Sequence, residues 1–465
     1  MARSTFLTLV LVLAGCAAQA PPVPPEAGVA LPAAWSQEAP AGDVPLAQWW
    51  RQFGDPLLVQ LVEDSRQANT SVRIAQANLR QARALRDQAA AGLWPSLALS
   101  ASAQRSRGLD ATGRSGNLFD AGFDASWEPD VFGATGHALG AGQAQVQASA
   151  ASLSSTEVSI AAEVAVSYLQ LRGTQVRAAF ARDNLRAQEQ TLQIAQWREQ
   201  AGLGSSLETS QARSAVEQTR AQLPVLTASI AQTAHALAVL TGQPPAALAT
   251  RLLPPAGLPQ PPQGLALAIP ARALRQRPDL LAAEWQLRAQ AERVAQADAQ
   301  RLPSVQLRAS LAWSATTLGS LGSVAAARSL LASVSQTLFD HGLRDAQLAA
   351  QQAAFDAARE TYRASVLTAL QDVEDALAAL SAARERVTAL LAAAQATSDA
   401  ALLANNRYAS GLIDFQTVLD TQRTLLSVQD SVASAETDFA TGHVRLYKAL
   451  GGGWNPVDAR AESGS

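Results

Sequence analysis

Apolar residues recur every seven positions between Phe415 and Leu450: Val418, Leu425, Val432, Phe439 and Leu446 form one series, and Thr421, Val428, Ala435, Gly442 and Ala449 follow each member three places on. The spacing is a heptad seam, large at one position and small at the other, and it predicts a long helix packed against helical neighbours. The same register occupies Thr209, Val216, Leu223, Ile230 and Leu237, shadowed by Ala212, Thr219, Leu226, Thr233 and Leu240, so the two series stand 209 positions apart. The chain reads as a tandem duplication of one large unit. Two earlier helical patterns match in the same way. One runs from Asp55-Pro56 to about Gly92 through Leu57, Leu61, Val72, Leu79 and Leu85; its counterpart opens at Arg277-Pro278-Asp279-Leu280, where Asp279 is placed to cap the helix, and carries Leu287, Val294 and Ala297.

At Pro95 and Pro303 the period changes to two. Leu97, Leu99, Ala101 and Ala103 alternate with Ala98, Ser100, Ser102 and Gln104, and Phe119, Ala121, Phe123, Ala125 and Trp127 with Asp120, Gly122, Asp124, Ser126 and Glu128. In the second copy Val305, Leu307, Ala309, Leu311 and Trp313 alternate with Gln306, Arg308, Ser310 and Ser314, followed by Leu330, Ala332, Val334 and Leu338. These predict two hairpins, four strands in all, each near the roughly 9–11 residues of a membrane strand. A half-buried sheet in a soluble sandwich alternates in the same way. Glycine turns follow at Phe132-Gly133 and His341-Gly342. Helical runs of about 60 residues, on the order of 90 Å long, then lead to Gln200 and Ala409. The chain turns back at Ala201 to Gly204 and at Ser410 to Ile413, where Gly202 and Gly411 supply the left-handed conformation that ends a helix. Pro224, inside the first returning helix, predicts a kink.

The domain organisation follows. Residues 1–15 read as a signal peptide, 16–54 as an N-terminal spacer, 55–242 as the first repeat, 243–276 as a connector that begins Pro-rich, 277–453 as the second repeat and 454–465 as a flexible tail. Arg3, the apolar run from Phe6 to Leu13 and the small-residue site before Cys16 make an export signal. LAGC resembles a bacterial lipobox, which implies cleavage before Cys16 and acylation there; an ordinary signal peptide with a chance cysteine is the alternative. Ala17 after Cys16 points, by resemblance to the lipoprotein sorting rule, to the outer membrane. Beyond the signal no apolar run approaches the roughly 18–20 residues of a membrane helix, so a chain that spans a membrane must do so as a barrel.

Composition removes other classes. Lys and Arg total 36 against 39 for Asp and Glu, so no basic excess attracts nucleic acid. Cys16 is the sole cysteine, which leaves no disulfide and no cysteine metal cluster. The four histidines, His137, His235, His341 and His443, are scattered, and Asp372 with Asp375 reads as a solvated helix face. No nucleophile elbow, Walker or Rossmann pattern occurs, so neither an enzyme nor a bound cofactor is expected, apart from covalent lipid on Cys16. Four strands cannot close, and an open edge in lipid is prohibitive. Two chains give eight strands and a filled interior; three give twelve and a lumen. Asp120, Asp124, Glu128, Gln306 and Arg308 on the inward face require water, which favours three.

RPDL with AEWQLRAQAERVAQADAQRLPSVQL, the turn RYASGLIDFQTVLDTQR and the ending LYKALGGGW resemble the TolC/OprM family of outer-membrane efflux lipoproteins over nearly the whole mature chain. The resemblance implies an α+β membrane protein: a homotrimer whose twelve-stranded β-barrel in outer-membrane lipid continues into an α-helical coiled-coil tunnel across the periplasm. An equatorial collar would come from the chain near residues 40–55, 243–276 and the C-terminal end. It further implies a passive exit duct for drugs and toxic small molecules in a tripartite pump. The partners would be a periplasmic adaptor (membrane fusion) protein and an inner-membrane RND-type transporter. Adaptor docking would fall at the turns holding Gly202, Leu203, Gly411 and Leu412. A gate at the tunnel's periplasmic end would use Asp420 and Arg423, neighbours on one helical face, with Tyr408 at an adjacent tie; a surface ion pair is the alternative for the first two. Gln416 stands where one member has an apolar constriction residue, and Ile413 where another has an arginine. The competing reading is a lipid-tethered periplasmic coiled-coil scaffold or adaptor without a pore.

Overall fold

A computed structural model describes residues 46–107, 115–261 and 276–454, with residue 274 and residues 19–22, 28, 29, 32 and 35. A 3-10 helix, Leu46–Phe53, precedes α1, Pro56–Ala68. Asp55 caps α1, its carboxylate accepting the Leu57 and Leu58 amides at 2.8 and 3.2 Å, while Pro56 takes the first position, where no donor is needed. The sequence predicts one helix from here to Gly92; the structure breaks it at Asn69. That side chain accepts the Ser71 amide at 2.8 Å, a local bond that competes with the helix and starts α2, Thr70–Ala91, and it donates to the distant Leu240 carbonyl at 2.8 Å.

Four strands follow the two proline breaks: β1, Ser96–Arg107; β2, Ser115–Trp127; β3, Ser304–Ala315; and β4, Ala327–Ser335. They form one antiparallel sheet in the order β1-β2-β3-β4, which leaves β1 and β4 as its edges. Register brings Leu99, Phe123 and Leu311 side by side on one face and Ser102, Asp120 and Ser314 on the other. Leu97, Leu99, Leu330 and Val334 are exposed on the apolar face. On the polar face Asp120 accepts hydroxyls of Ser102 and Ser314, and Asp124 that of Ser100. β4 ends at Ser335, so Leu338, read as part of its alternation, lies beyond the strand.

The remaining helices are α3, Ala134–Gln200; α4, Ser206–Leu240; α5, Ala249–Leu252; α6, Pro278–Ala299; α7, Leu343–Ala409; and α8, Phe415–Ala449. α3 and α7 each have 67 residues, α4 and α8 each 35, and α2 and α6 each 22. Every heptad position named above is buried or half-buried in α4 and α8. α4 runs on through Pro224 as one helix. Asp279 is the second residue of α6, and its carboxylate binds Arg277 at 2.8 Å rather than capping the helix. α4 and α7 also depart from expectation: each holds an 18-residue stretch, of mean hydropathy 1.5 and 1.4, that by length and composition could cross a membrane. Alanine raises those means without long blocks of bulky apolar residues.

The chain divides into two compact units. Residues 1–29, 77–150 and 281–365 hold the sheet and the adjoining helix ends; in this unit the His137 imidazole Nδ1 meets the Glu292 carboxylate at 2.7 Å. Residues 30–76, 151–280 and 366–465 hold the rest. Here Trp49 stacks on Tyr447 with centroids 5.4 Å apart, and the Gly453 amide donates to the Leu46 carbonyl at 2.8 Å. The segment before α1 is thereby fixed to the end of α8.

Candidate functional site

α3 and α7 end in the same motif. Gly202 and Gly411 have φ of +73° and +74°, and the amides of Leu203 and Leu412 each reach back to the carbonyls of Arg198 and Arg407 at 2.8 Å. This is a Schellman closure, open to glycine because no Cβ opposes positive φ. Leu203 and Leu412 at the turns are 72% and 74% exposed, as are large parts of Trp197 and Leu207. The returning helices are capped by Ser205, whose hydroxyl accepts the Glu208 amide, and by Asp414, whose carboxylate accepts the Thr417 amide and hydroxyl. The Thr417 amide, then its hydroxyl, hold the Asp414 carboxyl below its ordinary value.

Beneath the turns lies a cluster of Ala195, Ala212, Ala404, Tyr408, Phe415 and Val418, with Ile413 packed against it. Tyr408 ties four helix ends together. Its hydroxyl donates to Glu208 at 3.0 Å, the Arg198 guanidinium lies 4.7 Å from its ring centroid, Arg198 Nη1 donates to its carbonyl at 3.0 Å, and Phe415 packs at 5.4 Å. Burial, then the Glu208 bond, pushes the Tyr408 phenol up to about 12. Sequence reasoning missed Arg198 and Glu208. A signal for Glu208 was present: Ser205-Ser-Leu-Glu208 is the spacing of a capping box.

Asp420 and Arg423 are both exposed on α8 and do not pair with each other; Asp420 accepts Gln416 Nε2 at 3.0 Å. Between them in sequence Gln422 is buried, donating to Thr191 Oγ1 at 2.8 Å and Asn405 Oδ1 at 3.2 Å. The LDTQR motif thus splits by face, with Gln422 joining α8 to α3 and α7 while Asp420 and Arg423 point away from that packing. Tyr408 is not brought to either. Cys16 lies outside the described residues.

A second charged centre joins three helices. Arg277 donates to Asp279 at 3.0 and 2.8 Å, to Asp372 at 3.1 Å and to the Ala449 carbonyl at 2.8 Å. Asp372, read as part of a solvated face, is therefore a structural partner. Burial alone would lower the Arg277 pKa, but Asp279 and Asp372 outweigh it and raise it. His443 is buried with its ring Nδ1 2.9 Å from the Phe439 carbonyl, and burial lowers its pKa. Among the described residues no group of three or more His, Cys, Asp or Glu side chains is gathered to hold a metal.

A family model described as outer membrane efflux protein matches residues 61–243 and again 269–452. The chain is 33% identical over 462 residues to the pyoverdine export outer membrane protein OpmQ of Pseudomonas putida, with 97% of each chain covered. The solved structure of the outer-membrane channel OprN matches with a TM-score of 0.84 and 35% identity, over 92% of this chain and 100% of that one. The open state of the Neisseria gonorrhoeae MtrE outer membrane channel matches with a TM-score of 0.84 and 27% identity, over 94% and 99%.

Proposed function

The chain belongs to the outer membrane efflux protein family, and from that premise we propose that this outer-membrane protein is the exit duct of a tripartite efflux pump, working as a homotrimer. The observation that carries the reading is the sheet: apolar on one face, lined by Asp120 and Asp124 on the other, with two edge strands that lipid does not tolerate open. Three copies supply twelve strands, and the carboxylate-bearing face then lines water. The equal lengths and spacing of α3 with α7 and α4 with α8 support a tandem duplication, which gives each subunit two similar helical hairpins for a tunnel. Cys16 carries the lipid in this scheme.

The duct accepts small toxic molecules handed on by an inner-membrane RND-type transporter through a periplasmic adaptor. Relatives bear names for pyoverdine export and toluene efflux, which supports a small-molecule cargo here. The exposed turns at Gly202, Leu203, Gly411 and Leu412 suit the adaptor, since apolar side chains stand there on rigidly capped ends. Asp420 and Arg423 form the gate: both are exposed and unpaired with each other, so symmetry can set them against their copies. Tyr408 holds the surrounding helix ends through Glu208 and Arg198.

Planar-bilayer recording of the purified oligomer tests the reading. Discrete cation-preferring conductance is expected, with a higher resting level for Asp420→Ala and Arg423→Ala. A protein that forms no pore overturns it, and variants that conduct as the parent does remove the gate. Gly202→Val and Gly411→Val are expected to abolish efflux in cells while leaving the oligomer in the outer membrane.

A further inference from the structure

Strand parity puts Arg105 of β1 and Arg328 of β4 on the apolar face of the sheet, in line with Leu97 and Leu99 and with Leu330 and Val334. Among the described side chains of that face they are the charged ones, and no carboxylate shares it. Both are exposed and without an ion pair to any described residue; Asn117 is opposite Arg105 and Leu311 opposite Arg328. Each sits on an edge strand, and both lie toward the hairpin-loop end, Arg105 nine residues after Ser96 and Arg328 seven before Ser335. With a rise of about 3.3 Å per residue and a tilt near 40°, those positions stand roughly 23 and 18 Å above the helix-side end of the sheet. The apolar band of an outer-membrane barrel is about 25 Å tall, so both side chains can extend to the far headgroups.

The stagger of the sheet brings them together. A row of register partners starts at Ser96, passes Ser126 and Arg308 and reaches Leu331, four residues inside the end of β4 at Ser335. The sheet thus climbs about one residue per strand, the shear a barrel needs. One more step at that slope carries Arg328 to the level of Gln104 and Arg105 on β1 of the next copy, and facing selects Arg105. Two guanidinium groups directly opposite each other repel. A bridging anion removes the repulsion, and phosphate matches the guanidinium fork in pairs of charge-assisted bonds.

We propose that Arg328 of one subunit and Arg105 of the partner subunit form a site for the phosphate of an outer-leaflet lipid headgroup, its acyl chains lying on the apolar rows below. The proposal rests on the closed-oligomer reading. Native mass spectrometry of the purified oligomer with bisphosphorylated lipid A, and with its dephosphorylated form, tests it. The expected result is retention of the phosphorylated lipid alone, a loss of about tenfold or more in affinity for Arg105→Gln and for Arg328→Gln, and little further loss in the double variant. Inorganic phosphate at the same concentration is expected not to displace the lipid, and all variants to conduct as the parent does. Equal lipid retention by the double variant, equal retention of the dephosphorylated lipid, or displacement by free phosphate overturns the site and leaves the channel standing. A protein that forms no closed oligomer overturns both.

Discussion

Gly242 and Gly202 both adopt positive φ, +70° and +73°, but a Cβ added at Gly242 would collide with the Ala68 carbonyl oxygen, whereas at Gly202 nothing lies within 4 Å. Gly202→Ala is therefore expected to cost about 1–2 kcal/mol, the left-handed penalty alone, and Gly242→Ala clearly more, because backbone must move. Heat-induced unfolding in detergent measures both, and equal losses would refute the comparison. Gly202 was legible in sequence because it ends a predicted helix; the collision at Gly242 was not, since Ala68 is distant in the chain. Tyr408 gives a prediction in pH. Its folded pKa of about 12 lies above the ordinary 10.0, so its neutral form is favoured by folding. Its contribution is complete below about pH 10 and is lost as pH rises through about 12. Tyr408→Phe is expected to lose the Glu208 bond, lowering stability near neutrality, and to show a smaller further loss at alkaline pH than the parent. Tyr168 and Tyr447 are raised to about 12 as well, so the difference between the two proteins is the measurement.

Helix ends in this chain are set by short motifs, and where the motif is local the sequence reveals it. The boundaries of α3 and α7 at Gln200 and Ala409 follow from Gly202 and Gly411, and the seams of α4 and α8 follow from their heptads. Asn69 was unreadable because its decisive bond goes to Leu240, which only the fold brings near. Arg277 is similar: RPDL was visible as a string, but its work is to join the start of α6 to α7 and to the last carbonyl of α8, that of Ala449. Its side chain is 10% exposed and its donors face two carboxylates and a buried carbonyl. Arg277→Ala is expected to cost about 3 kcal/mol, because the buried Ala449 carbonyl loses its donor, whereas Asp279 and Asp372, 42% and 46% exposed, turn to water. Arg277→Lys retains charge but not the fork, and is expected to lose about 1–3 kcal/mol. Chemical denaturation read by circular dichroism orders the three proteins; a lysine variant as stable as the parent would show that charge alone suffices.

At the scale of the molecule, the alternation of β1 to β4 was legible because one residue in two meets each face, and the structure keeps that parity across all three pairings. What sequence leaves open is closure, which in the proposed oligomer depends on a strand from another copy. The sheet's stagger turns this into a test of copy number. Leu330 of β4 and Ala103 of β1 face the apolar side, and in the proposed oligomer the climb of about one residue per strand would set them at neighbouring heights across a subunit junction. Cysteines there, as Leu330→Cys with Ala103→Cys in a Cys16→Ala background, would stand within the Cβ separation of roughly 4.5–5.5 Å for directly opposed strand residues once the barrel closes. Mild oxidation is expected to give a ladder of linked subunits that ends at three, because three copies make twelve strands around water. A ladder ending at two would mean eight strands and a packed interior, which leaves Asp120 and Asp124 without solvent. Either single cysteine alone is expected to give no ladder. The background substitution tests the anchor as well: with the barrel carrying attachment to the membrane, the oligomer is expected to assemble without lipid on residue 16.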